Sequence, residues 1–288
     1  MTERLSDVNA RIASARQISS VVSAMRAIAA ARMRDARLRL DSVRRYAQSV
    51  GQAISRTLPL ASQAFEMSGP QANPGRRLIV AVGAEQGFAG GFSERVLRAV
   101  GAAGPDELLI VGDRAIGLAR QLGYEPAWSA PAAAHLDQIE AIADQITEEI
   151  WSRANQGIAT VSLIYAAPDG ADAIVSRSLA PFDFKRFAHT RNAQPPLTQL
   201  AASALLAKLA EEYVFAELCE ALTLSFAAEN EARIRAMTAA RGHVREILDA
   251  LGARSRHLRQ EEITNEIIEL AVNRAVSRDV SSRAADVP

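Results

Sequence analysis

The sequence predicts an α+α/β chain: a long antiparallel coiled coil of N- and C-terminal helices with an inserted Rossmann-like α/β domain. Three observations predict it. The first sixty residues carry a heptad seam, residues 197–287 contain no proline, and the residues between them switch to short apolar runs separated by glycine-rich turns. The segments so defined are 1–60 for the N-terminal coiled-coil helix, 76–195 for the α/β domain and 197–280 for the C-terminal coiled-coil helix.

The first helix is read from its period. Leu5, Val8, Ile12, Ala15, Ser19, Val22, Arg26, Ala29, Met33, Ala36, Leu40, Val43, Ala47, Val50 and Ile54 follow one another in steps of three and four, interrupted in polarity only at Ser19 and Arg26. That is the seam of a coiled coil. No glycine precedes Gly51 and no proline precedes Pro59. An unbroken helix of this length reaches ~80 Å, too long to bury its stripe inside one globule. It needs a second helix. Residues 61–75, with Ser62, Ser68, Gly69, Pro70, Asn73, Pro74 and Gly75, read as a loop that ends it.

The period then changes. Leu78 to Val82 is a continuous apolar run and reads as a buried strand. A glycine-rich turn, Gly83 to Gly91, leads into a helical pattern through Val96, Leu97 and Val100. Leu108 to Val111 reads as a second strand, followed by helices over 113–122 and 136–155. Ile158 to Ala166 is a third strand, and Pro168-Asp169-Gly170 turns the chain into a fourth at Ala173 to Leu179. Strands alternating with helices imply a mostly parallel sheet, with a hairpin at one edge.

The last segment supplies the partner helix. Leu205, Leu206, Leu209, Val214, Leu218, Leu222 and Phe226 mark its first half, and Met237, Val244, Ile247, Leu248, Leu251, Leu258, Ile263, Ile267 and Leu270 its second. Ala221, Ser225, Ala228, Ala232 and Ala239 make a small-residue track that lets helices approach closely. Residues 1–57 hold eleven arginines against four acids, and Glu211, Glu212, Glu217, Glu220, Glu229 and Glu231 of the last segment offer the complementary sign.

Composition narrows the function classes. Thirty-three basic residues balance thirty-three acids, which argues against a dedicated polyanion binder. The single cysteine, Cys219, excludes an internal disulfide, fits a reducing compartment, and reads as buried filler in an apolar helical stretch. There is no apolar signal segment at the start and no run of the ~20 apolar residues a membrane span requires. A soluble, intracellular chain is expected, one still able to dock on a membrane complex.

Catalytic signals are weak throughout. The turn Gly83 to Gly91 lies where phosphate loops lie, between strand and helix, yet it lacks both the GxGxxG spacing and a lysine followed by serine or threonine. It reads as a structural turn. His135, His189, His243 and His257 share no ligand spacing with Cys219, so no metal is expected. No GxSxG or HExxH motif occurs, and the pairs Glu211-Glu212 and Glu261-Glu262 read as solvated helix faces. No cofactor is implied. The arginines 32, 34, 37, 39, 44 and 45 admit a second reading, a basic coiled-coil nucleic-acid-binding protein with an α/β module. Against it, the seam runs straight through the cluster and no aromatic residues interleave.

At the termini the residues are more specific. Ile12-Ala13-Ser14, Ile18-Ser19, Ala24-Met25 and Ala29 to Met33 closely resemble the N-terminal helix of the gamma subunit of F-type ATP synthases. Ala228 to Met237 is similar to that family's A-S-E-x-A-A-R-M-x-A-M, and Arg259 to Glu266 to its R-Q-x-x-I-T-x-E. Gly87 to Phe92 stands where the family has G-L-C-G-G-L. Arg26, Arg32 and Val272-Asn273-Arg274 depart from its pattern, so the chain resembles a divergent member.

The resemblance implies a central-stalk rotor that is not itself catalytic. It would couple ion translocation through a membrane ring to conformational cycling of catalytic beta subunits. Its implied partners are the alpha and beta subunits of the hexamer, the epsilon subunit and the c-ring, with no nucleic acid and no transmembrane span of its own. Its implied place is peripheral, on the cytoplasmic face of the bacterial inner membrane. By position, Met25 and Arg32 fall at lower contacts with beta, and Arg259, Gln260 and Thr264 at an upper contact with a beta loop.

Overall fold

A computed structural model describes residues 4–65, 75–154, 156–168, 173–187 and 197–285. In chain order the elements are α1 (Leu5–Phe65), β1 (Arg76–Val82), α2 (Phe92–Ala103), β2 (Glu107–Val111), α3 (Asp113–Gln121), β3 (Trp128–Ala130), α4 (Ile139–Ala154), β4 (Ile158–Ala166), β5 (Ile174–Ala180) and α5 (Ala202–Ala285). Single 3₁₀ turns precede α4 at Leu136–Gln138 and follow β5 at Phe184–Arg186. The chain divides into two compact units, residues 1–26 with 237–288, and residues 27–236.

The first unit pairs the start of α1 with the later part of α5. Val8, Ala15 and Val22 are buried at strict seven-residue spacing, with Ile12 and Ser19 half-buried between them. On α5, Met237 and Val244 are buried and Leu248, Leu251, Ser255 and Leu258 half-buried, a matching three-four rhythm. The seam is therefore a true heptad seam. Ser255 Oγ donates to Asn9 Oδ1 across it at 3.1 Å. Arg26, the interruption in the pattern, is exposed, as are Ile247, Ile263 and Ile267.

The second unit holds the sheet. Its order is β3-β2-β1-β4-β5, with every neighbouring pair parallel except β4 and β5. Val80 pairs with Leu109 on one side and Leu163 on the other, which explains why β1 is apolar at consecutive positions. Leu78, Val80 and Val82 pack in one cluster with Ile142 and Ile146 of α4 and Leu218 and Leu222 of α5. Ile79 and Ala81 pack in the other with Phe92, Val96 and Val100 of α2 and Ala115 of α3. The sheet is thus covered on both faces. The expected edge hairpin is the antiparallel pair β4–β5, with Ile164 opposite Ser176. Residues 169 and 170 of the predicted turn between them lie outside the described residues.

Within this unit Val50, Ile54 and Leu58 of α1 meet Leu206 of α5, while Arg44 pairs with Glu220 at 2.9 Å. Rising numbers on α1 meet falling numbers on α5, so the helices run antiparallel here. Two boundaries differ from expectation. α1 continues past Pro59 to Phe65, overrunning the loop expected from 61. Proline removes one helical hydrogen bond, but buried Ile54, Thr57 and Leu58 hold the turn that carries it. β3 was not expected at all.

Candidate functional site

Three of the sequence motifs, those holding Arg32, Gly87 and Glu229, meet at the glycine-rich turn after β1. Two glycines shape it. A Cβ on Gly83 would lie 2.2 Å from the Cβ of Ala115, and Gly112, at φ +115, would place one 2.7 Å from the carbonyl oxygen of Ala84. Only glycine lets the β1–α2 and β2–α3 connections approach this closely. Ala84 N–H then donates to Ser93 Oγ at 3.1 Å.

The next amides meet a carboxylate. Glu85 N–H and Gln86 N–H donate to the two oxygens of Glu229 on α5, at 3.1 and 3.2 Å. Glu229 also pairs with Arg233 Nη2 at 2.5 Å, and both side chains are 6% exposed. The Arg233 guanidinium reaches further, donating to the carbonyls of Gln86 (3.3 Å) and Gly87 (3.2 Å) and to Asn230 Oδ1 (3.0 Å). Asn230 Nδ2 donates in turn to the Phe226 carbonyl at 2.8 Å. The Glu85 carboxylate accepts from Asp113 N–H (3.1 Å) and Ala132 N–H (2.7 Å), and Arg32 Nη1 donates to Gln86 Oε1 at 3.3 Å. A groove of about 490 Å³ opens beside the turn, lined by Phe88, Phe92, Arg114 and Leu118 among others. Two amides that a phosphate could use, those of Glu85 and Gln86, are already bonded to an internal anion, so this part of the turn works as a joint.

A second ionic cluster sits where the sheet edge meets the helices. Buried Glu217 receives Arg186 Nη2 at 3.0 Å, with Arg177 Nη1 at 3.9 Å; Arg177 and Arg44 both bind Glu220. Burial pushes the Glu217 carboxyl above the usual carboxylate range, against the pull of the two arginines. Arg186 lies over the ring of Tyr213, which packs edge-on against Phe182 and Phe187. Burial also pushes the Cys219 thiol up to about 12, aided by Glu140 and Asp144, so it stays protonated.

These contacts correct the expected charge match between the terminal helices. Of the six glutamates, Glu220 forms an ion pair with α1 and Glu212 a hydrogen bond, the latter with Tyr46. Glu229 serves the turn and Glu217 serves the sheet edge. Glu211 and Glu231 pair within α5, with Lys208 and Arg235. Arg39 binds Glu140 of α4, at 2.6 Å. An acid is satisfied by whatever cation the fold brings near: Arg177 of β5 and Arg186 of the turn after it for Glu217, and Arg233 of α5 itself for Glu229.

The five residues singled out from the sequence are dispersed. Arg32 is half-buried and joins the turn. Met25 is half-buried on α1, with exposed Val21 four residues before it and exposed Ile28 three residues after it. Arg259, Gln260 and Thr264 are all exposed on α5, where Thr264 Oγ1 donates back to the Gln260 carbonyl at 2.8 Å. Sequence reasoning missed Glu229 and Arg233 as the partners of the turn. The available signal was an acid and a base four residues apart inside the small-residue track, since a charged pair on a close-packed face must find polar partners. Among the described residues, no group of His, Cys, Asp and Glu could hold a metal ion, and no helix is long and apolar enough to cross a membrane.

The family model described as ATP synthase matches residues 4–272. The chain belongs to this ATP synthase family, among its gamma chains. The ATP synthase gamma chain of a Parafrankia strain is 26% identical, over 94% of this chain and 96% of its own length. That of Rubrobacter xylanophilus is 25% identical over 93% and 96%. In fold, the chain is similar to one from the central stalk and c-ring of the Tetrahymena thermophila mitochondrial ATP synthase, with TM-score 0.54, 22% identity, and coverage of 76% of this chain and 99% of that one. A rotor chain of the Euglena gracilis mitochondrial enzyme gives TM-score 0.51 at 14% identity, covering 80% and 98%. As a gamma chain it is a non-catalytic subunit of its ATP synthase.

Proposed function

We propose that this gamma chain is the central-stalk rotor of an F-type ATP synthase, coupling ion translocation through a membrane ring to conformational cycling of catalytic beta subunits. Segments 1–60 and 197–280 serve as the shaft and 76–195 as the foot. The alpha and beta subunits surround the shaft; the epsilon subunit and the c-ring meet the foot. The chain then lies peripheral to the bacterial inner membrane, on its cytoplasmic face, held by the ring. The observation that carries this reading is the family match over residues 4–272, which takes in the first terminal helix, the sheet and most of the last helix.

Exposed apolar side chains support the five contact residues. Ile18, Val21 and Ile28 accompany Met25 on α1 at helical spacing, and Ile263, Ile267 and Ile268 flank Thr264 on α5. Apolar groups left in water beside positions of interest mark surfaces that a partner covers. Met25 and Arg32 act at lower contacts with beta, and Arg259, Gln260 and Thr264 at an upper one.

The test is reconstitution of the chain with its alpha and beta subunits and the membrane sector, followed by ATP hydrolysis and ATP-driven ion pumping. Met25→Lys places a charge in the apolar contact and is expected to lower pumping per ATP hydrolysed while the complex still assembles. Normal pumping in that variant refutes the placement of Met25, and failure of the native chain to assemble refutes the rotor reading.

A further inference from the structure

We propose that Glu229 and Arg233 are positioning residues that lock the turn Gly83–Gly91 to α5 and thereby hold Phe88 outward as a rigid knuckle that follows the helix without lag. The inference deepens the rotor reading and rests on it, because a rotating part transmits force only through links that do not yield.

A buried ion pair is weak evidence for stability, since apolar residues of the same volume often serve a core as well or better. What the pair does supply is geometry. The Glu229 carboxylate accepts two consecutive turn amides and one guanidinium, while Arg233 spans two turn carbonyls, Asn230 and Glu229. These bonds are directional and charge-assisted. The turn is also gripped from other sides: Ala84 through Ser93 of α2, Glu85 through Asp113 and Ala132, and Gln86 through Arg32 of α1. Each of residues 84–87 is therefore tied to at least one group outside the turn.

Beyond the last tie stands Phe88. Its backbone is left-handed at φ +63, a conformation that a residue with a Cβ disfavours, and the residue is 67% exposed. Both features are unfavourable for an isolated loop. A loose turn would relax the backbone and fold the ring onto half-buried Leu118, which lines the groove beside it. Strain of this kind persists where the surroundings over-determine it, and such sites cluster where a residue is presented for a task.

The test has two arms. Hydrogen exchange of the segment 84–88 is measured on the full chain, native and as Glu229→Ala, Glu229→Gln, Arg233→Ala and Arg233→Lys. Exchange is expected to rise about tenfold or more in Glu229→Ala, with the remaining sheet unchanged. Glu229→Gln should fall between, because its carboxamide offers one acceptor oxygen, and Arg233→Lys should restore only part of what Arg233→Ala loses. Phe88→Trp reports the ring: its fluorescence anisotropy should drop when Glu229→Ala is added. The second arm assays the same variants in the reconstituted complex, where pumping per ATP hydrolysed should decline in the order of loop loosening. Unchanged exchange at 84–88 in both Glu229 variants overturns the clamp. A loosened turn with unchanged pumping per ATP overturns its mechanical role. The exchange arm needs no partner subunits, so it judges the clamp even where assembly fails and the rotor reading falls.

Discussion

The middle of α5 and its later part are one continuous helix in opposite surroundings. Between Ala216 and Asn230 every residue except half-buried Glu220 is buried, whatever face of the helix it occupies. Between Arg259 and Ala271 every residue is exposed, including Ile263, Ile267, Ile268 and Leu270. Helical propensity does not separate the two stretches, since helix-compatible residues fill both: Ala, Leu and Glu dominate the first, Glu and Ile the second. A helix buried all round is the core of its unit, whereas one that keeps isoleucines in water is waiting for a surface to cover them. The same contrast divides the charges. Glu217 and Glu229 are buried and fully engaged, while Glu261 touches exposed His257 and carries little energy.

Paired substitutions sharpen this contrast. Leu218 is wholly buried against the sheet, so Leu218→Ala should cost about 2–5 kcal/mol in chemical denaturation. Ile267→Ala, which removes a side chain of the same volume, should cost less than about 0.5 kcal/mol in the isolated chain. Equal losses at the two positions would erase the distinction drawn from exposure. Gly112→Ala comes next in size: it forces a Cβ against the Ala84 carbonyl at a positive φ and should cost about 1–3 kcal/mol. In the assembled complex the order should reverse for function. Ile263→Asn with Ile267→Asn should weaken assembly or coupling, measured by ATP-driven pumping, while the melting temperature of the isolated chain stays within about a degree or two.

How much of this was legible depended on whether the signal was local. The seam of α1, the apolar runs of β1, β2 and β4 and the edge hairpin all follow from period and turn residues, and they lie where those patterns put them. β3 escaped because three residues, Trp128-Ser129-Ala130, carry no period; it exists by pairing with β2, with Ile110 opposite Ser129. Pro59 marked a helix end too early, because packing around Ile54 and Leu58 outweighs one lost hydrogen bond. In the candidate site, the glycines of the turn were visible and its partner was not. Glu229 looks like ten other glutamates on the same helix, and only the folding of β1 against α5 selects it from 143 residues away.

The smallest expected effect is a titration at Glu217, the buried carboxylate of the sheet-edge cluster. Glu217 is raised above the ordinary carboxylate range by burial, with Arg186 and Arg177 opposing. The folded chain therefore binds this proton more tightly than the unfolded chain does. Protonation at Glu217 favours folding, and that contribution is full below the ordinary carboxylate range and lost as pH rises through the folded value. Glu217→Gln cannot titrate. The difference in melting temperature between native chain and Glu217→Gln should thus shift in favour of the native chain as pH falls from neutral into the carboxylate range. Other acids titrate in both proteins and cancel in the difference. A constant difference across that range would mean that the two arginines fully offset burial, making the sheet-edge cluster as tightly balanced as a surface pair and removing the reason to treat it as part of the core.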